Sequence, residues 1–234
     1  MPSAWEGLPV VGAASMRALD AAATAKHGIP AATLMDNAGK AVAAETAAFL
    51  RARGVTPGNA RVVVCCGRGA NGGDGLVAGR VLREGGAVVV AFVCPPKTGE
   101  GYPPLVRTVL DAAAAAGVII RTAGSGAGLA IALKDCDVVI DALLGTGANG
   151  KPAGAIHHMI SEITRAKKPV VAVDLPSGIH PDTGYHSGVY VTADLTLTLG
   201  LAKKGLLAAH AKKEVGVLKV LDVGYPPALL KAAK

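Results

Sequence analysis

From Arg61 onward, short apolar runs alternate with longer mixed stretches. The runs are Val62–Cys66, Val88–Val93, Val118–Ile120, Asp137–Ala142 and Val170–Asp174, all rich in β-branched residues. Unbroken apolar runs, without strict alternation, mark strands covered on both faces. The stretches between them are long enough for helical crossovers, so the pattern predicts a parallel sheet with helices on both sides. Three further runs, Val189–Val191, Leu195–Leu199 and Val217–Val223, predict additional strands joined by shorter turns. Residues 1–60 carry a helical pattern instead. Ser15 is a candidate N-cap, His27-Gly28-Ile29-Pro30 forms a break, and a second amphipathic segment runs from about Ala31 to Arg53. With no repeat or linker in view, the chain divides into a helical extension, 1–60, and an α/β core, 61–234, of one domain.

Composition sharpens this picture in a few places. The chain has 234 residues, 51% of them hydrophobic, which suffices for a sizeable core. Aromatic content of 3% means that Val, Leu, Ile and Ala must build that core, and it leaves few rings to stack on exposed bases. A nucleic-acid partner is therefore not expected. The net charge of +7 suits an anionic ligand, but no run of five basic residues concentrates it. Cys65, Cys66, Cys94 and Cys136 lie in or beside apolar runs without C-x-x-C spacing, which argues for reduced thiols over a zinc site. With neither a membrane-length segment nor a signal pattern, the expected location is the cytoplasm.

The chemistry concentrates in three glycine-bearing loops. In "RVVVCCGRGANGGDGLVAGRVL", Gly67, Gly69 and Gly72 fit G-x-G-x-x-G between a strand and a helix, the arrangement that cradles a dinucleotide phosphate. "DALLGTGANGKPAG" follows the fourth strand and "DLPSGIHPDTG" the fifth. Ligands of open α/β sheets bind at the carboxyl ends of strands, so all three loops should open onto one edge. A dehydrogenase would place an acid at the end of the second strand to hold ribose hydroxyls. Here Cys94, Pro95, Pro96 and Lys97 occupy that region. The missing G-K-[ST] disfavours ATP or GTP hydrolysis. Asp74 either caps a helix beginning near Gly75 or serves the site. Asn71, Asp141 and Ser177 offer oxygen donors suited to a hard cation, and Pro176 and Gly178 hold Ser177 close to Asp174. The six histidines form no evident catalytic set.

Five ordered blocks, "LMDNAGKAVA", "GRGANGGDGLVAGRVL", "DVVIDALLGTGANGKPAG", "VVAVDLPSGIHPDTG" and "ADLTLTLGLAKKGL", resemble those of the NAD(P)H-hydrate epimerases, proteins of the YjeF N-terminal domain type. The resemblance spans Met16 to Tyr225. It implies a Rossmann-like three-layer α/β/α domain, a homodimer, and an isomerase that interconverts the R and S forms of hydrated NADH or NADPH for a separate dehydratase. Carried over by position, it implies substrate contacts from Ala70, Asn71, Gly72, Gly73 and Asp74, and from Gly145, Thr146, Gly147, Ala148, Asn149, Gly150 and Lys151. Asp174 would be the catalytic residue. Asn71, Asp141 and Ser177 would hold a potassium ion. The family has Asn where this chain has Ala70, which removes a side-chain contact. Lys203 or Lys204 should lie near the site. The competing readings are a non-catalytic nucleotide- or RNA-binding scaffold of the same fold and, less favoured by the missing acid, an NAD(P)-dependent oxidoreductase.

Overall fold

A computed structural model describes residues 3–97, 99–124, 128–148, 150–186 and 188–233. The chain opens with a two-stranded antiparallel ladder, β1 (Ala4–Trp5) and β2 (Leu8–Pro9), followed by α1 (Ala13–His27) and α2 (Ala31–Ala52). The α/β series comes next: β3 (Arg61–Cys66), α3 (Ala70–Glu84), β4 (Val88–Val93), α4 (Pro104–Ala115), β5 (Ile119–Thr122), α5 (Gly128–Asp135), β6 (Val138–Ala142), α6 (Gly154–Ala166) and β7 (Val170–Val173). It closes with β8 (Leu195–Leu199), a short α7 (Lys212–Val215), β9 (Val217–Leu221) and α8 (Pro227–Ala232).

Seven strands form one sheet in the order β5-β4-β3-β6-β7-β8-β9, and every ladder in it is parallel. The alternating pattern thus gives the expected Rossmann-like sheet flanked by helices. β3, β6 and β7 are buried on both faces, which explains their continuous apolar runs. The two faces carry separate apolar clusters, one under α2, α3 and α4 and the other under α5 and α6. No helix among the described residues is long and apolar enough to cross a membrane.

The tail differs from the pattern reading. Val189–Val191 is not a strand. Val191 N–H donates to the Ser177 carbonyl, and its buried side chain packs into the cluster beneath α6, so an apolar run here serves a loop. Parallel pairing also forbids tight turns between β7, β8 and β9. Long connections replace them, the second built from two 3₁₀ turns and α7. At the other end, Gly12, and not Ser15, occupies the N-cap position of α1.

From β3 the chain winds outward through β4 and β5, then returns to lay β6 on the other side of β3. The β3–β6 boundary is therefore the switch point, where the loops leaving two adjacent strands diverge and open a crevice. The helices α1 and α2 from the amino-terminal extension bring Met16, Asp20, Leu34 and Met35 to that crevice.

Candidate active site

A cavity of about 720 Å³ lies at this switch point, within the range of small-molecule and cofactor sites. One wall is the turn after β3. Gly67 N–H donates to the Ala142 carbonyl, which ties the turn to the neighbouring strand. A Cβ at Gly72 would stand 2.0 Å from the Gly67 carbonyl oxygen, so only glycine permits this closure. Helix α3 then begins at Ala70, five residues before the expected start. Asp74 is inside the helix and buried, and it is not the cap; Gly69 occupies that position. The run Asn71-Gly72-Gly73 is a poor helix former by propensity. Close packing overrides it, because Gly73 rests on Met35 of α2 and Gly75 on Ala142 of β6.

The opposite wall is the loop after β6, where Gly145, Thr146, Gly147 and Ala148 face the cavity. Beneath it, Asp141 is completely buried and binds the next loop. Ser177 Oγ donates to Asp141 Oδ1 at 2.7 Å, and Ser177 N–H donates to Oδ2 at 2.8 Å. Leu143 N–H adds a third donor at 3.2 Å, while Leu144 N–H donates to Ser177 Oγ at 3.0 Å. Burial nevertheless holds the Asp141 carboxyl up at about 6, since the three hydrogen bonds only partly offset desolvation. Asp141 and Ser177 thus form a staple under the cavity, outside its lining.

Asp174 follows β7 with a left-handed backbone, φ +68°, one of three described non-glycine residues with positive φ. Its Oδ2 accepts from Thr146 N–H at 3.0 Å, and its Oδ1 lies 2.6 Å from Lys203 Nζ. A Cβ at Gly145 would stand 3.0 Å from that Oδ2 and 3.2 Å from Asn71 Cγ, so the missing side chain lets three loops meet. Asn71 lines the cavity, and its buried amide oxygen and nitrogen have no hydrogen-bond partner among the described residues.

Two further residues were not evident in the sequence. Asp20 of α1 and Tyr225 after β9 line the cavity and hydrogen-bond to each other across 205 positions. Burial raises the Asp20 carboxyl and the Tyr225 hydroxyl above their ordinary ranges. Asp74 is raised well above the usual carboxylate range, first by burial and then by the like charges of Asp174 and Asp20. Arg68 and Lys97 supply positive charge to the same cavity. Lys203 also lines it, whereas Lys204 is exposed.

The remaining expected contacts fall elsewhere. Gly72 and Gly73 are buried against protein, Gly150 lines a smaller adjoining cavity of about 190 Å³, and Lys151 is exposed. Asn149 lies outside the described residues.

A parallel α/β sheet with a glycine turn and a cavity at its switch point, lined by Asp20, Asp74 and Asp174, defines a domain of Rossmann type. Residues 31–205 match the family model described as YjeF-related protein N-terminus, and the chain belongs to that family. It is 35% identical over 216 residues to the NAD(P)H-hydrate epimerase of Elusimicrobium minutum, covering 92% of this chain and 95% of that one. The NAD(P)H-hydrate epimerase of Pirellula staleyi is also 35% identical, with 92% of each chain covered. Similarity at 36% extends to the bifunctional NAD(P)H-hydrate repair enzyme Nnr of Thermofilum pendens, of which this chain spans 42%. The fold is shared with the crystal structure of a yeast protein, YNL200c, at a TM-score of 0.83 and 23% identity, over 95% of this chain and 92% of that one.

Proposed function

We propose that this protein is an NAD(P)H-hydrate epimerase, interconverting the R and S forms of NADH or NADPH hydrated at C6 of the nicotinamide ring. The observation that carries the reading is the division of labour among carboxylates on one cavity. Asp174 faces a lysine ammonium, while Asp74 is pushed by burial toward its neutral form. Opposed environments of this kind separate a group that carries the proton, Asp74, from one that stays charged, Asp174.

The chemistry follows from the substrate. C6 carries a hydroxyl and is bonded to the ring nitrogen. As the C–O bond breaks, its electron pair leaves with oxygen, which takes the Asp74 proton and departs as water. The nitrogen lone pair forms an iminium, and the ionised Asp174 stabilises the positive charge. Water then adds to the other face and returns a proton to Asp74. The glycine turn, Arg68 and Lys97 suit the anionic dinucleotide backbone. Asn71 and Thr146 line facing walls that would hold the ring, so much of the rate gain comes from positioning.

Asn71, Asp141 and Ser177 would hold a potassium ion. The donors are all oxygen, the Asn71 amide is buried and unpartnered, and Asp141 has no cationic partner among the described residues. Ser177 Oγ gives its proton to Asp141 and one lone pair to Leu144 N–H, so one lone pair is left to offer. When bound, the ion supplies a fixed positive charge that offsets Asp141 and orders the loops. The same reading includes a homodimer, a separate dehydratase that consumes the S form, and a cytoplasmic setting in which the four buried, free cysteines stay reduced.

A coupled repair assay tests the function. Mixed R and S NADH hydrate is given to an S-specific dehydratase, and the return of NADH absorbance is followed in potassium buffer. Added protein should merge the slow phase, limited by spontaneous epimerisation, into the fast one. An untouched slow phase despite dinucleotide binding would favour the scaffold reading.

A further inference from the structure

Among the described residues Lys203 is the one buried cation, its side chain 1% exposed. Its backbone is anchored from outside the site. Lys203 pairs with Val11 of the amino-terminal segment, and the flanking Val11 N–H and Lys204 N–H bonds run to Ala202 and Val11 carbonyls. The side chain then reaches back to the end of β8. Its Nζ meets Asp174 Oδ1 at 2.6 Å, Thr198 Oγ1 at 3.0 Å and the Leu199 carbonyl at 2.7 Å. An ammonium has three protons, and here are three acceptors. The Thr198 hydroxyl proton is directed to Asp174 Oδ1 at 3.5 Å, so all three bonds at Nζ are donated by the lysine. No proton of Lys203 remains to be turned toward a substrate.

We infer that Lys203 is a positioning residue for the epimerase reaction: its saturated ammonium locks Asp174 as a fixed negative charge in its left-handed turn, so that Asp174 serves the reacting ring as a charge and not as a proton donor. This rests on the epimerase reading above. The backbone evidence is independent of charge. Asp174 pays conformational energy at φ +68°, and its carboxylate is fastened at both oxygens, by Lys203 and by Thr146 N–H. Such fastening holds a charge in place before substrate arrives, the condition under which electrostatic stabilisation is most effective.

The other groups facing this pair are negative or neutral. Asp20 approaches from α1, Asp74 from α3 and Tyr225 from the segment after β9, and each feels the charge of Asp174. Without Lys203, the Asp174 carboxylate would stand among these groups with no cation to offset its charge. An uncharged Lys203 variant should therefore fail at neutral pH for a specific reason: the negative charge that Asp174 offers the ring has lost its counter-ion.

The test uses the full chain in two arms. The first is the pH profile of epimerisation for the wild type, Lys203→Met and Thr198→Val. Lys203→Met should shift the acid limb of kcat/KM upward by at least one pH unit, lose at least tenfold at pH 7 and recover part of that loss at pH 9. Thr198→Val keeps the Lys203 charge but removes one of its acceptors and a hydroxyl donor 3.5 Å from Asp174 Oδ1, so it should shift the limb by less in the same direction. A pH-independent loss in both variants would overturn the proposal in favour of a structural role. The second arm needs no turnover. In protein labelled at aspartate carboxyl carbon, Asp174→Asn identifies the Asp174 resonance. Its titration midpoint should rise in Lys203→Met, or in Lys203→Gln if the former does not fold. An unmoved midpoint refutes the coupling. Wild-type protein inactive at every pH would overturn the epimerase reading alone, and the carboxyl titration would still decide whether Lys203 sets the charge of Asp174.

Discussion

Ser177→Ala probes the staple beneath the site. The substitution removes an oxygen that donates to Asp141 Oδ1 at 2.7 Å and accepts from Leu144 N–H at 3.0 Å, at a position with no exposed surface. A hydrogen bond to a charged group contributes about 1.5–3 kcal/mol, and the half-buried Leu144 N–H loses its partner as well, so the loss at pH 8 should be about 2–4 kcal/mol. The pH dependence gives the argument its sign. Burial holds Asp141 at about 6 against 3.8 for the free side chain. The folded protein binds this proton more tightly than the unfolded chain, so the contribution favours folding at low pH and is lost as pH rises through 6. Once ionised, Asp141 costs the fold about 3 kcal/mol. Deleting one of its three donors moves the carboxyl further up and makes ionisation costlier. Urea unfolding in choline buffer should therefore show a larger loss at pH 8 than at pH 5, where the protonated Asp141 loses only a neutral hydrogen bond of about 1 kcal/mol. Equal losses at the two pH values, or less than about 1 kcal/mol at pH 8, would refute the picture of a buried charge held by this staple.

Other outcomes follow from the same geometry. Asp174→Asn should reduce turnover by at least about 10²-fold while NADPH still binds by calorimetry, because the fixed charge is lost and the shape kept. Gly145→Ala places a methyl 3.0 Å from Asp174 Oδ2, so kcat should fall by about 10–100-fold with a melting temperature within a few degrees of wild type. Exchanging choline for potassium at constant ionic strength should raise the melting temperature by a few degrees in wild type, and not in Asn71→Ala, which lacks the unpartnered amide.

Much of the fold was legible because the buried strands leave a simple trace. β3, β6 and β7 are covered on both faces and so appear as unbroken apolar runs. The same signal misleads at Val189–Val191, where burial under α6 comes from a loop. Local rules also fail at α3. Its start at Ala70 is set by the Gly67–Gly72 approach and the Gly73–Met35 contact, which no propensity scale contains. The three glycine loops and their acids could be placed at one edge from the parallel alternation of strands and helices alone. Asp20 and Tyr225 could not, because they reach the cavity from opposite ends of the chain. A lysine near the site, Lys203 or Lys204, follows from the resemblance, but the contact of Lys203 with Asp174 depends on Val11 fixing the backbone beyond β8.

The most direct test of the central claim is to follow stereochemically pure R NADH hydrate by chromatography, with no dehydratase present. The account predicts that catalytic amounts of this protein drive the R form to the same R/S equilibrium reached slowly without it, and that Asp174→Asn does not. An R form that persists at the uncatalysed rate with saturating wild-type protein would contradict it.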